Sequence, residues 1–204
     1  MPIREVVLVL AVVGLVLVIL GWRRGRRLRV LFDTVRELDL AALAGYRHGS
    51  VEEVGLSDRA VSQQDGGVAV RVAVLSAMES RALFGTPLAH SGIQPVWLEV
   101  RNSEDLPYWL LVAGLDPDYF SAREAAYVQH GLFSRTANRQ MDQFFEEVQF
   151  KSPVRPGATV AGFVFVNLDE GTKPVAVDLL APRGGRVRSF TFFVQVPGLK
   201  TDSS

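Results

Sequence analysis

The longest uniform stretch of the chain is apolar. Residues Val6 to Trp22 read VVLVLAVVGLVLVILGW, seventeen residues without a charge. A helix rises about 1.5 Å per residue, so this run spans roughly 25 Å, the short end for a bilayer crossing. Its edges are sharp. Arg4 and Glu5 precede it, and Arg23, Arg24, Arg26, Arg27 and Arg29 follow, with Trp22 where an interfacial aromatic belongs. Signal-peptide cores are shorter and follow their basic residues, so the run predicts an uncleaved anchor.

The pattern then changes period. Leu28, Leu31, Val35 and Leu38 recur at helical spacing, which predicts a juxtamembrane amphipathic helix ending near Gly45. Residues 46–58 are polar, carry two glycines and read as a linker. Beyond them the period is mostly two. The segment RAVSQQ-DGG-VAVRVAVLS predicts a hairpin turning at Asp65-Gly66-Gly67, with Val68, Val70, Val72 and Val74 on one face. Further strands are predicted at Ile93–Asn102, Tyr108–Leu115, Thr159–Asn167, Val175–Ala181 and Val187–Val196, and Asp169-Glu170-Gly171 reads as a hairpin turn.

Between the strands lies a helical insert over 121–150. Ser121 and Glu124 have capping-box spacing, and Gly131 is placed to end that helix. Met141, Phe144, Phe145 and Val148 form an apolar stripe on a second helix running from about Ala137. The predicted class is mainly β, an antiparallel immunoglobulin-like β-sandwich with a two-helix insert, preceded by a transmembrane helix and a juxtamembrane helix. The predicted divisions are anchor and basic collar 1–29, juxtamembrane helix and linker 30–57, sandwich 58–198, and a disordered tail 199–204.

Charge sharpens this division. The 204 residues hold 22 basic and 22 acidic groups, a net charge of zero. Residues 1–29 carry six arginines and one glutamate, net +5, and the remainder is therefore net −5. A basic collar beside an acidic body predicts attraction to anionic headgroups, about 1 kcal/mol per arginine near the surface, and argues against a nucleic-acid partner. The positive-inside rule favours a single-pass bacterial inner-membrane protein with its C-terminal domain in the cytoplasm, and a periplasmic domain is the alternative.

Candidate chemistry is sparse. The chain has no cysteine, so thiolate metal sites, disulfides and cysteine nucleophiles are excluded. It contains no phosphate-loop, dinucleotide, nucleophile-elbow or zinc-helix motif. His48, His90 and His130 lack paired ligand spacing, and no metal or cofactor is expected. Counted from Asp116, a calcium loop would need glycine at Ser121 and glutamate at Tyr127. The expected partner surface is the insert and the loop leading into it: Asp116, Asp118, Tyr119, Phe120, Phe144 and Phe145. The leading expectation is a membrane-anchored binding or assembly module with a protein partner. The alternative is an envelope hydrolase pairing Asp118 or Glu124 with Asp169 or Glu170, or using a histidine in an acidic pocket.

The stretches PVWLEVRN and VRPGATVAGFVFVN resemble membrane-anchored immunoglobulin-like modules of the bacterial envelope. In those, a strand ending in Asn leads to a turn, and a Pro-Gly segment opens a strand rich in Phe and Val. The resemblance covers Val68–Val196, with the helical insert as a departure. It implies a sandwich and an anchor, and it carries over no active site.

Overall fold

Alternating valines build the first sheet. The computed structural model describes residues 45–115, 119–131, 135–169 and 171–197. The predicted anchor, its arginine collar, the juxtamembrane helix and the tail 199–204 lie outside the described residues. Among the described residues, no helix is long and apolar enough to cross a membrane. From Tyr46 onward the chain belongs to one compact unit.

Strands β1 (Val61–Asp65), β2 (Val68–Val74), β3 (Ile93–Asn102) and β5 (Thr159–Asn167) form an antiparallel sheet in the order β1-β2-β3-β5. Strands β4 (Trp109–Leu110), β6 (Thr172–Ala181) and β7 (Arg186–Gln195) form a second antiparallel sheet, ordered β4-β6-β7. The period-two face Val68, Val70, Val72 and Val74 packs with Val96, Leu98 and Val100, and meets Val175, Val177, Leu179, Phe190 and Phe192 of the second sheet in one core. The two sheets thus bury their inner faces against each other, as a β-sandwich does.

The other face of the first sheet is covered by helices. These are α2 (Ala77–Phe84), α3 (Ala122–Tyr127) and α4 (Arg135–Val148), preceded in the chain by the single turn α1 (Leu56–Arg59). Ala73, Ile93, Trp97, Phe163 and Phe165 project from the sheet onto Leu83, Phe84, Ala125, Met141, Phe144 and Phe145 in a second core. The layers are therefore helix, sheet, sheet. The outer face of the second sheet has no helix over it among the described residues.

Several expectations change. Tyr108–Leu115 is not one strand: only Trp109–Leu110 pairs, and a 3₁₀ turn follows at Val112–Gly114. Its apolar character comes from crossing between the sheets, since Tyr108 and Leu115 are buried in the sandwich while Phe120 N–H bonds the Phe165 carbonyl of the first sheet at 2.9 Å. Gly171 takes the positive φ (88°) expected of a turn, but β5 and β6 lie in different sheets, so the turn is an arch between layers and not a hairpin. Helix α3 ends at Val128 without a left-handed residue, and Gly131 lies outside it. Helix α4 starts two residues before the expected Ala137. Helix α2 was absent from the expected elements, although Ser76 and Glu79 form a complete capping box and Gly85 closes the helix at φ 64°.

The predicted linker is also part of the domain. Tyr46 donates from its hydroxyl to the Phe84 carbonyl at 2.9 Å, and Gly49 N–H bonds the Leu83 carbonyl at 2.9 Å. Tyr46, Val51, Val54 and Leu56 all join the helical-layer core. Gly85 must be glycine for two reasons. Its φ is positive, and a Cβ there would overlap the Arg47 carbonyl oxygen of this strap.

The open edges of both sheets meet at one corner. Gln63 and Asp65 sit opposite Val70 and Val68, so their side chains turn toward the second sheet. There Gln63 Nε2 donates to the Thr191 carbonyl at 2.6 Å, and Asp65 accepts from Arg188 at 2.9 Å. Inward-pointing polar groups of this kind protect sheet edges from pairing with other chains. Gln63→Val is expected to change monomer stability by less than about 1 kcal/mol, the scale of one exposed hydrogen bond. It is also expected to raise self-association in light scattering, because the β7 edge loses its cover.

Candidate functional site

The expected partner residues divide by burial. Phe145 is fully buried, its ring stacked on Phe165 at 5.3 Å between centroids and tilted on Phe84 at 4.9 Å. Phe144 is buried with the His48 ring stacked on it at 3.7 Å. Tyr119 and Phe120 are half-buried, the first against the sandwich core and the second against the helical-layer core. Asp116 and Asp118 lie outside the described residues. The Phe144–Phe145 stripe therefore seats the helix on the sheet. Burial of Tyr46, with no compensating charge, pushes its phenol well above the ordinary tyrosine range.

The carboxylates have structural partners. Glu124 accepts from Ser121 N–H and hydroxyl, both at 2.8 Å, and this capping box holds its carboxyl below the usual range. Asp169 accepts from Lys173 Nζ at 2.5 Å, and that lysine, buried in the sandwich wall, also donates to the Asn167 carbonyl at 2.7 Å. Glu170 and Asp118 are outside the described residues. His130 Nε2 lies 2.8 Å from Asp142 Oδ1 and bridges the end of α3 to α4, while His90 is exposed. Among the described residues no three His, Cys, Asp or Glu side chains gather as a metal site. A hollow of about 640 Å³ between α3 and α4 is lined by Arg123, Asp142, Glu146, Glu147 and Lys151 and lies open to solvent. Arg123 bonds Glu146 across it at 3.3 Å.

The densest polar cluster closes one end of the sandwich. Glu104 accepts from Tyr108 Oη at 2.7 Å, Arg186 at 2.6 Å, Arg188 at 2.8 Å and Gly67 N–H at 3.2 Å. The Tyr108 hydrogen bond, aided by the two arginines and Gly67, lowers the Glu104 carboxyl to about 2. This cluster joins the β1–β2 turn, the loop after β3 and the β6–β7 turn. With its acceptors taken up by these donors, it acts as a clasp.

Among the described residues, the outer face of the second sheet is left without a covering layer, apart from the Val112–Gly114 turn beside Asp178. Its ten outward positions on β6 and β7 carry one ionisable group, Asp178. Trp109, Leu180 and Val187 form one cross-strand row, and Pro174 with Phe193 forms another. Phe193 is 71% exposed and Val187 50%. Leu111 and Val112 extend the apolar surface past the end of β4. In a chain with 22% charged residues this face is poor in charge, and five of its ten positions are apolar (Pro174, Ala176, Leu180, Val187 and Phe193), the character of an interaction surface. Sequence reading missed it, although the signal was present: Val187 and Phe193 fall on the alternate face of a strand whose other face is already apolar.

No family model and no curated protein matches the sequence. Among solved structures, a FixG-related protein from Vibrio parahaemolyticus is similar at 12% identity and a TM-score of 0.35, over 65% of this chain and 99% of that one.

Proposed function

We propose that the protein is a single-pass membrane-anchored binding or assembly module. Its sandwich, which we read as immunoglobulin-like, presents the outer face of the β4-β6-β7 sheet to a protein partner with a flat, apolar, uncharged surface. The observation that carries this reading is the charge-poor outer face with exposed Trp109, Val187 and Phe193. The apolar run Val6 to Trp22 and its arginine collar supply the anchor in this reading, with the collar on anionic headgroups. The hydrolase alternative needs two converging titratable groups, whereas Glu124 and Asp169 are each held by partners of their own.

Three measurements test it. The full chain is expected to resist carbonate extraction. Phosphatase and fluorescent-protein fusions at Ser204 then report the compartment, with cytoplasmic fluorescence expected. A photo-crosslinking residue at position 193 is expected to capture one discrete protein in mild detergent, and Val187→Glu is expected to abolish that adduct. Because the position is exposed, that substitution should shift stability by no more than about 0.5 kcal/mol. A chain released by carbonate overturns the anchor. An adduct unchanged by Val187→Glu, or equally strong from a probe at Gln64, overturns the face.

A further inference from the structure

The outer face of the β4-β6-β7 sheet is patterned in cross-strand rows. Trp109, Leu180 and Val187 make an apolar row, Asp178 and Ser189 the next, Ala176 and Thr191 the third, and Pro174 and Phe193 a second apolar row. The apolar rows lie six residues apart on β6, about 20 Å at the rise of a strand. The two rows between them carry small side chains, so the four rows read nearly alike from either end. A twofold contact lays such a face on itself, with the axis in the plane between the copies. With the axis along the strands, midway between β6 and β7, each row meets its own counterpart. With the axis across the strands, between the two middle rows, the Leu180–Val187 row meets Pro174 and Phe193 of the other copy. Either way, apolar rows meet apolar rows and small side chains meet small ones.

Charge selects the same face. Residues 30–204 hold sixteen basic and twenty-one acidic groups, net −5, so two copies carry like charge. The β6–β7 face opposes their approach least, with Asp178 as its one ionisable group. The Asp178 carboxylate lies so close to Gly114 that a Cβ there would overlap it. That places the charge on the β4 side, away from Val187 and Phe193. Size sets the strength. Two ten-residue strands about 4.8 Å apart, with the two residues of β4, present roughly 350 Å². A standard interface takes about 800 Å² from each partner, so this contact is weak and concentration-dependent. We propose that the partner of this face is the same face of a second copy of the chain, in a weak twofold dimer. The proposal rests on the reading above of this face as the partner surface, and it names the partner.

Two differently tagged forms of the full chain test it, co-expressed, one with the photo-crosslinking residue at position 193. They are irradiated in cells and again after purification together in mild detergent. Both samples are expected to give one adduct of twice the chain mass that carries both tags, and its yield in detergent should fall on dilution. Val187→Glu in both forms is expected to lower the yield at least about tenfold, because a carboxylate is then left unpaired against an apolar row. Circular dichroism should be unchanged by that substitution. A probe at Gln64, on the first sheet, should give no two-tag adduct. An adduct in cells that holds a different protein and lacks the second tag overturns the dimer and leaves the face as a partner surface. No adduct from position 193 in either sample, or one unchanged by Val187→Glu, overturns both. None of these outcomes involves the anchor, which carbonate extraction tests alone.

Discussion

Phe145→Ala is expected to lower the unfolding free energy by about 3–5 kcal/mol, the range for deleting a fully buried phenyl ring. The ring contacts Phe84 on α2 and Phe165 on β5, so its loss leaves a void between a helix and the sheet it covers. Urea denaturation followed by far-UV circular dichroism measures the change as a shift in midpoint at constant slope. Phe144→Ala should cost less, because that ring lies at the edge of the core under the His48 imidazole, which can settle into part of the vacated space. A midpoint unmoved by Phe145→Ala would mean that the helical layer is not integral to the domain. Equal losses for the two rings would place His48 elsewhere.

Glu104→Gln should be the most damaging polar substitution, at roughly 2–3 kcal/mol, because it removes one carboxylate from two arginines and a buried tyrosine hydroxyl. Its pH signature distinguishes it from a packing defect. The Glu104 carboxyl is lowered from 4.5 to about 2, chiefly by the Tyr108 hydrogen bond. The folded state therefore holds the proton less tightly than the unfolded chain does. The stabilisation is complete above the ordinary carboxylate range and drains away as the pH falls toward 2. Wild-type stability measured across that interval should fall more steeply than that of Glu104→Gln. Tyr108→Phe should flatten the slope in part, because the arginines and Gly67 N–H still hold the carboxylate. Parallel wild-type and Glu104→Gln profiles would refute this account of the clasp.

Local patterning made much of the sandwich legible. The alternation in Ile93–Asn102 and Thr159–Asn167 gave both strands to the residue, since each strand buries one face in the sandwich and the other partly under helices. The Ser121–Glu124 spacing marked the start of α3 because a capping box is a contact between neighbours in sequence. The same signal at Ser76–Glu79 was overlooked, and with it α2, whose short apolar face is interrupted by the buried Ser80. Apolar runs misled where the chain changes layer: nothing in Tyr108–Leu115 distinguishes a strand from a crossing. The stripe Met141–Phe144–Phe145 predicted the helix correctly. Periodicity alone could not say whether its apolar face meets a partner or the chain's own sheet. The clasp was out of reach for a different reason. Glu104 and Arg186 are 82 positions apart, and their meeting is a product of the closed sandwich.

The strap from Tyr46 to Ser50 sets a limit on how the folded portion can be cut. A shortened version beginning at residue 58, where the polar stretch ends, would strip Tyr46 from the Phe84 carbonyl, leave Leu83 without its Gly49 hydrogen bond and remove Val51, Val54 and Leu56 from among the aromatic rings. One beginning at Gly45 keeps all of these. Limited proteolysis should report the same boundary: the version beginning at Gly45 is expected to resist digestion, and the one beginning at residue 58 is expected to be cut.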